Sequence, residues 1–133
     1  MTIATDEPEW LELEAVVQAH DLSIQRYGGA TGLRDAGLLK SALDRPRNRF
    51  AYDGVSDLAS LAATYAVGLA KNHAFADGNK RVAFAALGAF LMRNGLRLVT
   101  TQQEAIQTMY AVAAGEIELD ALADWVRANT QPA

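Results

Sequence analysis

The sequence predicts an all-α domain of about six helices around one buried central helix. Two observations carry this prediction. Apolar residues recur at intervals of three and four between Leu58 and Leu69, which is the pattern of an amphipathic helix. The segment from Val82 to Met92 is apolar nearly all round, which is typical of a helix packed among other helices. Because few segments alternate apolar and polar residues as strands do, little or no sheet is expected.

Length and composition are those of one ordinary globular domain. The chain has 133 residues, half of them apolar and 21% charged, and we place the domain at residues 10–129 after a loose N-terminus at residues 1–9. Cysteine is absent, which excludes disulfides, thiolate metal sites and cysteine nucleophiles. The net charge of −4 argues against direct nucleic-acid binding, which normally requires a basic excess. With neither a secretory signal nor an apolar run long enough for a bilayer, we expect a cytoplasmic protein without membrane partners.

The first two helices are bounded by glycine, aspartate and proline. Periodic apolar residues indicate a helix over 13–27, ended by Gly28-Gly29. After a glycine-rich turn, Asp35 is a good N-cap for a second, short helix. Pro46 is expected to stop that helix, because the residue before a proline is disfavoured in helical conformation.

The segment from Asp44 to Asp57 lacks helical periodicity. The alternation around Phe50 and Tyr52 suggests a short extended piece or a hairpin. A surface connection is the simpler interpretation for a segment of this length, and a mobile flap that presents backbone and side chains to a partner is the functional one. The candidate flap residues are Arg45, Arg47, Arg49, Phe50 and Tyr52.

Caps and glycines also place the remaining helices. Ser56 or Asp57 caps the third helix, which runs to about Asn72. The apolar helix ends at Asn94-Gly95, and Leu96–Val99 is predicted to be a short extended link. Two further helices complete the predicted fold, the first of them introduced by a capping-box sequence.

The chemistry is concentrated in nine residues, His73 to Arg81, which we call the nonapeptide. It contains a histidine, a carboxylate, an amide and two cations. We predict Asp77 as the N-cap of the following helix. Lys80 and Arg81 then occupy its first turn, where cations are unfavourable because the helix dipole is positive there. An anion bound at this helix end would explain them, and Gly78 would let it approach the backbone.

A bound phosphate implies further roles. Asp77 is the sole carboxylate of the nonapeptide and would be the ligand of an accompanying Mg²⁺. His73 has a side chain that can accept a proton from a hydroxyl at neutral pH. Taken singly, a histidine at a helix end is usually a cap or a surface residue, and a Lys-Arg pair is usually solvated, but their combination favours a site. For His20, the other histidine, a structural role is favoured over a catalytic one.

The nonapeptide closely resembles the signature of the Fic/Doc superfamily, H-x-F-x-[D/E]-G-N-[G/K]-R, and residues 10–127 resemble the death-on-curing toxins within it. Further matching stretches are Arg26-Tyr27-Gly28-Gly29, Gly32-Leu33-Arg34-Asp35, Asn72, Phe90-Leu91, Asn94-Gly95 and Ala114-Gly115-Glu116. Ala74 stands where Fic proteins usually have proline, and Gly78 where some death-on-curing toxins have alanine. The resemblance implies a Fic/Doc-like helical bundle with the nonapeptide between two central helices.

The resemblance also implies an activity. His73 would activate a target hydroxyl, Asp77 would hold Mg²⁺, and Gly78, Asn79, Lys80 and Arg81 would bind the phosphates of ATP. Death-on-curing toxins have lysine at the position of Lys80 and phosphorylate a threonine of elongation factor Tu, which stops translation. Fic adenylyltransferases usually have glycine there and transfer AMP. Lys80 therefore favours a kinase, adenylylation is the alternative, and a silent module that binds an antitoxin or a nucleotide is a third hypothesis.

The same resemblance implies a partner. The superfamily's inhibitory helix has the form [Ser/Thr]-x-x-x-Glu-[Gly/Asn], and no such string occurs in this sequence. Inhibition would then be supplied by a separate antitoxin whose C-terminal segment covers the active cleft. The family's target-docking flap lies upstream of the signature, which makes residues 45–52 the candidate for it.

Overall fold

The computed structural model describes residues 7–133 and confirms a predominantly helical fold. Over these residues the chain forms six helices and two short strands. They are α1 (Leu13–Tyr27), α2 (Ala36–Asp53), α3 (Leu58–Asn72), α4 (Asn79–Arg93), β1 (Leu96–Leu98), α5 (Gln102–Ala113), α6 (Leu119–Ala128) and β2 (Thr130–Pro132). Residues 1–6 of the predicted loose N-terminus lie outside the described residues. Within residues 7–133 no helix is both long and apolar enough to cross a membrane.

The central helix is α3, and the prediction that the segment 82–92 occupies the centre is wrong. Helix α3 packs against α2, α4, α5 and α6, and most of its side chains are buried. Helix α4 buries one side but exposes Ala85, Ala89 and Met92. Two of these three residues are alanines, whose small side chains lose little by remaining in water. An apolar sequence therefore did not require burial all round.

The two strands hold the C-terminal residues of the chain beside the end of α4. Strand β1, which was predicted as an extended link, pairs antiparallel with β2, with Arg97 opposite Gln131. At the same end Asn94 exchanges two hydrogen bonds with the backbone of Glu9, donating to its carbonyl and accepting from its N–H. A residue before α1, Glu9, and the strand after α6, β2, are thus both attached near the C-terminal end of α4.

The conformation predicted for the segment 44–57 is wrong, because α2 continues through Pro46 to Asp53. A proline inside a helix removes one hydrogen bond and clashes with the preceding turn, at a cost of about 3 kcal/mol. Tertiary contacts on both sides of Pro46 offset this cost. Before it, Ala42 lies so close to α3 that a Cβ built on Gly68 would be 3.3 Å from the Ala42 Cβ.

Beyond Pro46, two side chains attach the second half of α2 to its neighbours. The Arg49 guanidinium donates a hydrogen bond of 2.7 Å to the Thr64 hydroxyl of α3. The ring of Phe50 packs edge-on against Trp10 at 5.7 Å between centroids. The alternation that suggested a strand therefore reflects a half-buried Phe50 and an exposed Tyr52 on one helix.

Asp57 joins two helices, which yields a prediction about stability. Its carboxylate accepts from the N–H of Ser60 as the N-cap of α3 and also pairs with Arg127 of α6. Burial raises the pKa of Asp57, but the hydrogen bonds from Arg127 and Ser60 outweigh it and hold this pKa below its ordinary value of 3.8. Asp57→Ala should lower the free energy of unfolding at pH 7 by about 1–2 kcal/mol, most of it from the lost cap.

The pH dependence of the unfolding free energy separates the contribution of the Asp57 charge from that of its capping hydrogen bond. Because the pKa of Asp57 is lower in the folded state, its carboxylate stabilises the fold above about pH 4, and this contribution is lost as the pH falls through the folded-state pKa. Asp57→Asn keeps a capping side chain, so its deficit relative to the parent should shrink below pH 4 in urea unfolding. Asp124→Ala is the matched control for Asp57→Ala, since Asp124 also bonds Arg127 but caps no helix. An equal loss of stability in these two alanine variants at pH 7 would contradict the capping role.

Candidate active site

The nonapeptide comprises the loop between α3 and α4, residues 73–78, and the first three residues of α4. The first residue of the helix, Asn79, closes the loop. The Asn79 side chain accepts from the N–H of Phe75 at 3.1 Å and donates to the carbonyl of Phe75 at 3.0 Å. Phe75 itself is buried, so the loop is fastened to the core at this residue. The amide of Asn79 is thus committed to the shape of the loop, and its predicted contact with phosphate stays a prediction.

His73 begins the loop in an unusual backbone conformation. It follows the last residue of α3 with φ 52° and ψ 45°, and within residues 7–133 it is the one residue other than glycine with a positive φ. The left-handed conformation costs a residue with a Cβ roughly 1–2 kcal/mol. Its imidazole is exposed, so it is accessible to a substrate hydroxyl, as general-base chemistry requires.

Asp77 is held by backbone N–H groups from two parts of the chain. Its Oδ1 accepts from Gly78 at 2.8 Å and its Oδ2 accepts from Ala30 at 3.3 Å. The hydrogen bond from Gly78, followed by that from Ala30, lowers the pKa of Asp77. The carboxylate therefore stays ionised at and well below neutral pH. The predicted N-cap role is wrong, because Gly78 occupies the N-cap position of α4, in a left-handed conformation.

The start of α4 has the features of an anion site. Its N-cap is a glycine without a capping side chain, so the N–H groups of the first turn receive no side-chain cap. The Lys80 ammonium lies in this turn, 4.8 Å from the centre of the Tyr110 ring. A cation–π contact of this kind holds the ammonium in place while leaving its N–H donors available.

Arg81 connects α4 to the C-terminal end of α1. Its guanidinium donates to the carbonyl of Gly28 at 2.8 Å and to that of Ser23 at 3.2 Å. A guanidinium has five N–H donors, so these two contacts leave others for a ligand. Arg81 therefore has a structural role that the sequence did not indicate, and its contact with phosphate stays a prediction.

The structure adds residues 28–35 to the site. Their sequence matches the family, but it did not indicate a role in the site. Residues 28–35 run beside the loop and are hydrogen-bonded to it. The N–H groups of Arg34 and Asp35 donate to the carbonyl of Ala74, and the N–H of Ala76 donates to that of Gly32. An isolated β-bridge joins Leu33 and Phe75. The one signal in the sequence was the pair of glycine-rich stretches that match the family.

Gly29 lies against the proposed metal ligand. A Cβ built on Gly29 would be 2.7 Å from Oδ2 of Asp77 and 3.1 Å from a terminal nitrogen of Arg81. Neither distance allows a side chain without displacing its neighbour. The absence of a side chain at Gly29 therefore leaves the space that the Asp77 carboxylate and the Arg81 guanidinium occupy beside it.

The donor set fits Mg²⁺ bound together with a nucleotide. Within residues 7–133 no three His, Cys, Asp or Glu side chains form a cluster that could enclose a metal ion. Mg²⁺ does not need such a cluster, because it is commonly bound by one or two carboxylates, water and the phosphates of its substrate. An exposed, ionised Asp77 beside the start of α4 has the chemistry of one such ligand, and its binding of Mg²⁺ stays a prediction.

The predicted flap residues 45–52 lie on α2, so the extended flap expected there is wrong in conformation. Arg49 is bonded to Thr64, and the Arg47 guanidinium lies 5.9 Å from the centre of the Trp10 ring. Arg45 and Tyr52 are exposed. A role of this helix in docking a target stays a prediction. The backbone that borders the nonapeptide is that of residues 28–35 instead.

Comparison of the sequence with known proteins identifies a family and two relatives. The profile of the Fic/DOC family matches residues 10–91. The chain is 39% identical over 114 residues to "Protein kinase doc" of Escherichia phage P1, covering 86% of this chain and 90% of that protein. It is 37% identical over 118 residues to "Toxin Doc" of Mycolicibacterium smegmatis, covering 86% and 88%. The chain therefore belongs to the Fic/DOC family.

Proposed function

We propose that this protein is a toxin kinase that transfers the γ-phosphate of ATP to a threonine or serine hydroxyl of a translation factor of the elongation factor Tu type. The observation that carries the proposal is Lys80 in the first turn of α4, held by Tyr110 at the helix end next to Asp77. The name of the phage P1 relative, a protein kinase, supports it. Arrest of translation and growth would follow from loss of the factor's activity.

The groups at the site can be assigned to the steps of phosphoryl transfer. The N–H groups of the first turn of α4, Lys80 and the free donors of Arg81 would hold the phosphates. His73 would take the proton as the substrate oxygen attacks the γ-phosphorus. The new P–O bond forms while the bond to the β,γ-bridging oxygen breaks, and ADP leaves. Asp77 would hold Mg²⁺, which neutralises phosphate charge when bound.

Adenylylation is the second candidate. It would use the same residues, with attack on the α-phosphorus and departure of pyrophosphate. Gly78, with a φ of +75°, favours this candidate, because it leaves the helix end open to a second orientation of the nucleotide. A non-catalytic module is the third candidate and is opposed by the presence, in one loop, of an exposed His73 and an ionised Asp77.

The position of the transferred label distinguishes the first two candidates. The protein is incubated with Mg²⁺, the translation factor and ATP labelled on either the α- or the γ-phosphate. We expect label in the factor from γ-labelled ATP alone, and none with Asp77→Ala. Transfer from α-labelled ATP would refute the kinase assignment and favour adenylylation, while no transfer from either would favour the binding module.

A separate antitoxin is the proposed partner. The name of the mycobacterial relative, "Toxin Doc", supports a toxin–antitoxin system, and the sequence lacks the superfamily's inhibitory string. A C-terminal segment of the antitoxin would cover the nonapeptide and the adjoining residues 28–35. Covering these groups would exclude ATP, the target or both.

A further inference from the structure

His20 is buried beneath the nonapeptide, although nothing in the proposed chemistry uses it. The side chain is 1% exposed. Its ring stacks on Phe75 with the centroids 3.8 Å apart and the planes 15° apart. Burying an imidazole is more costly than burying an apolar side chain of similar size unless its nitrogens form hydrogen bonds. The polarity of His20 therefore needs an explanation beyond packing.

One nitrogen of the ring meets the backbone of the proposed metal ligand. Nε2 of His20 lies 2.7 Å from the carbonyl oxygen of Asp77. A carbonyl oxygen only accepts hydrogen bonds, so Nε2 must carry a proton and donate it. Nδ1 is buried without a hydrogen-bond partner among residues 7–133, and Oδ1 of Asp21 is 4.0 Å away. The ring is thus held through Nε2 and through its stacking on Phe75.

The carbonyl that His20 holds belongs to the same peptide unit as the N–H that holds the Asp77 carboxylate. This peptide joins Asp77 to Gly78, and the Gly78 N–H donates to Oδ1 of Asp77 at 2.8 Å. A peptide unit is planar, and its carbonyl and N–H point in opposite directions. Fixing the carbonyl therefore fixes the direction of the N–H. The residue that follows is a glycine with a positive φ, which would otherwise let this peptide rotate easily.

We propose that His20 is a positioning residue, which locks the Asp77–Gly78 peptide through its Nε2–H and thereby aims the Asp77 carboxylate at Mg²⁺. The inference rests on the proposed function for the identity of the metal and the nucleotide. The lock itself is a property of the protein without ligand. It predicts that loss of the Nε2 donor weakens the binding of Mg²⁺ with ATP while leaving the binding of ATP alone unchanged.

Two substitutions separate the donor from the packing. His20→Phe keeps an aromatic ring to stack on Phe75 but has no donor, whereas His20→Gln places an N–H close to the position of Nε2. Calorimetric titration with ATP, in Mg²⁺ and in EDTA, measures the affinity gained from the metal. We expect His20→Phe to reduce that gain by about tenfold, the equivalent of one hydrogen bond, and His20→Gln to restore most of it. Val16→Ala, at a buried position one turn earlier on α1, should destabilise the fold without reducing the gain.

The outcomes separate this inference from the function it rests on. If the parent gains no affinity from Mg²⁺, the assignment of a Mg²⁺–ATP site fails. If the parent gains affinity and His20→Phe gains as much, the positioning role is wrong. If His20→Phe does not fold, the proposal can still be tested on the parent protein. Long-range ¹H–¹⁵N correlation spectra of its imidazoles show which ring nitrogen of His20 carries the proton. We expect a proton on Nε2 of His20, and an unprotonated Nε2 would overturn the proposal.

Discussion

Replacing His73 with alanine is expected to slow phosphate transfer to the target by about 10²–10⁴-fold, the usual contribution of a positioned general base. The physical reason is that an attacking hydroxyl must lose its proton, and His73 is the exposed, titratable side chain at the start of the loop. The affinity for Mg²⁺ with ATP should change little, because the groups assigned to the phosphates and the metal lie from Asp77 onward. Single-turnover transfer measured at saturating ATP reports the chemical step.

The backbone at His73 makes a second substitution necessary. Alanine is strained in the left-handed conformation recorded there (φ 52°), so a loss of activity in His73→Ala could reflect a displaced loop. Asparagine adopts this conformation more readily than most residues but is no general base. His73→Asn should therefore be as stable as the parent and as inactive as His73→Ala. Substantial transfer by a folded His73→Asn would show that His73 is not the base.

Gly29→Ala is expected to reduce transfer by about 10²-fold, although Gly29 lies outside the nonapeptide. The new Cβ would be 2.7 Å from Oδ2 of Asp77, so the carboxylate must move. A displacement of about 1 Å at a reacting centre can cost this factor in rate. The apparent affinity for Mg²⁺ should fall as well, because the displaced group is the proposed metal ligand. Steady-state transfer measured across a Mg²⁺ titration would show both effects.

Gly32→Ala is the matched control for this prediction. Gly32 has a φ of +111°, close to the +118° of Gly29, but a Cβ built on it would meet nothing within 4 Å. Both substitutions thus carry a similar backbone strain, of roughly 1–3 kcal/mol, and only Gly29→Ala reaches the carboxylate. Equal activity losses in the two variants would mean that strain in residues 28–35, and not displacement of Asp77, is responsible.

Most helix boundaries that local chemistry controls were predictable, the N-cap of α4 being the exception. The helix over 13–27, the caps at Asp35 and Asp57 and the end of α3 at Asn72 are all confirmed. The prediction that Pro46 ends α2 is wrong because the local cost of the proline is offset by contacts of Ala42, Arg49 and Phe50 with other parts of the chain. The sequence also could not show which helix lies at the centre. The alanine-rich face of α4 is stable both when it is buried and when it is exposed to water, so its composition does not decide between the two.

The nonapeptide could be recognised from the sequence because its chemistry is contiguous. A histidine, a carboxylate and two cations around a helix start indicate an anion site by themselves. The residues that orient them could not be recognised in this way. Gly29 acts on Asp77, and His20 on the Asp77 carbonyl, across long sequence separations, and nothing in the local pattern at either position shows such a contact.

The sequence alone thus determined a helical protein with a phosphate-site motif and a family resemblance that the comparisons confirm. Those properties depend on neighbouring residues, whose spacing is visible in the chain. The tertiary structure decided how the motif is held. It closes the loop through Asn79 and lays residues 28–35 beside it. It also fixes the Asp77–Gly78 peptide on a buried His20. Contacts of this kind depend on how α1, α3 and α4 pack together, which periodicity and capping do not specify.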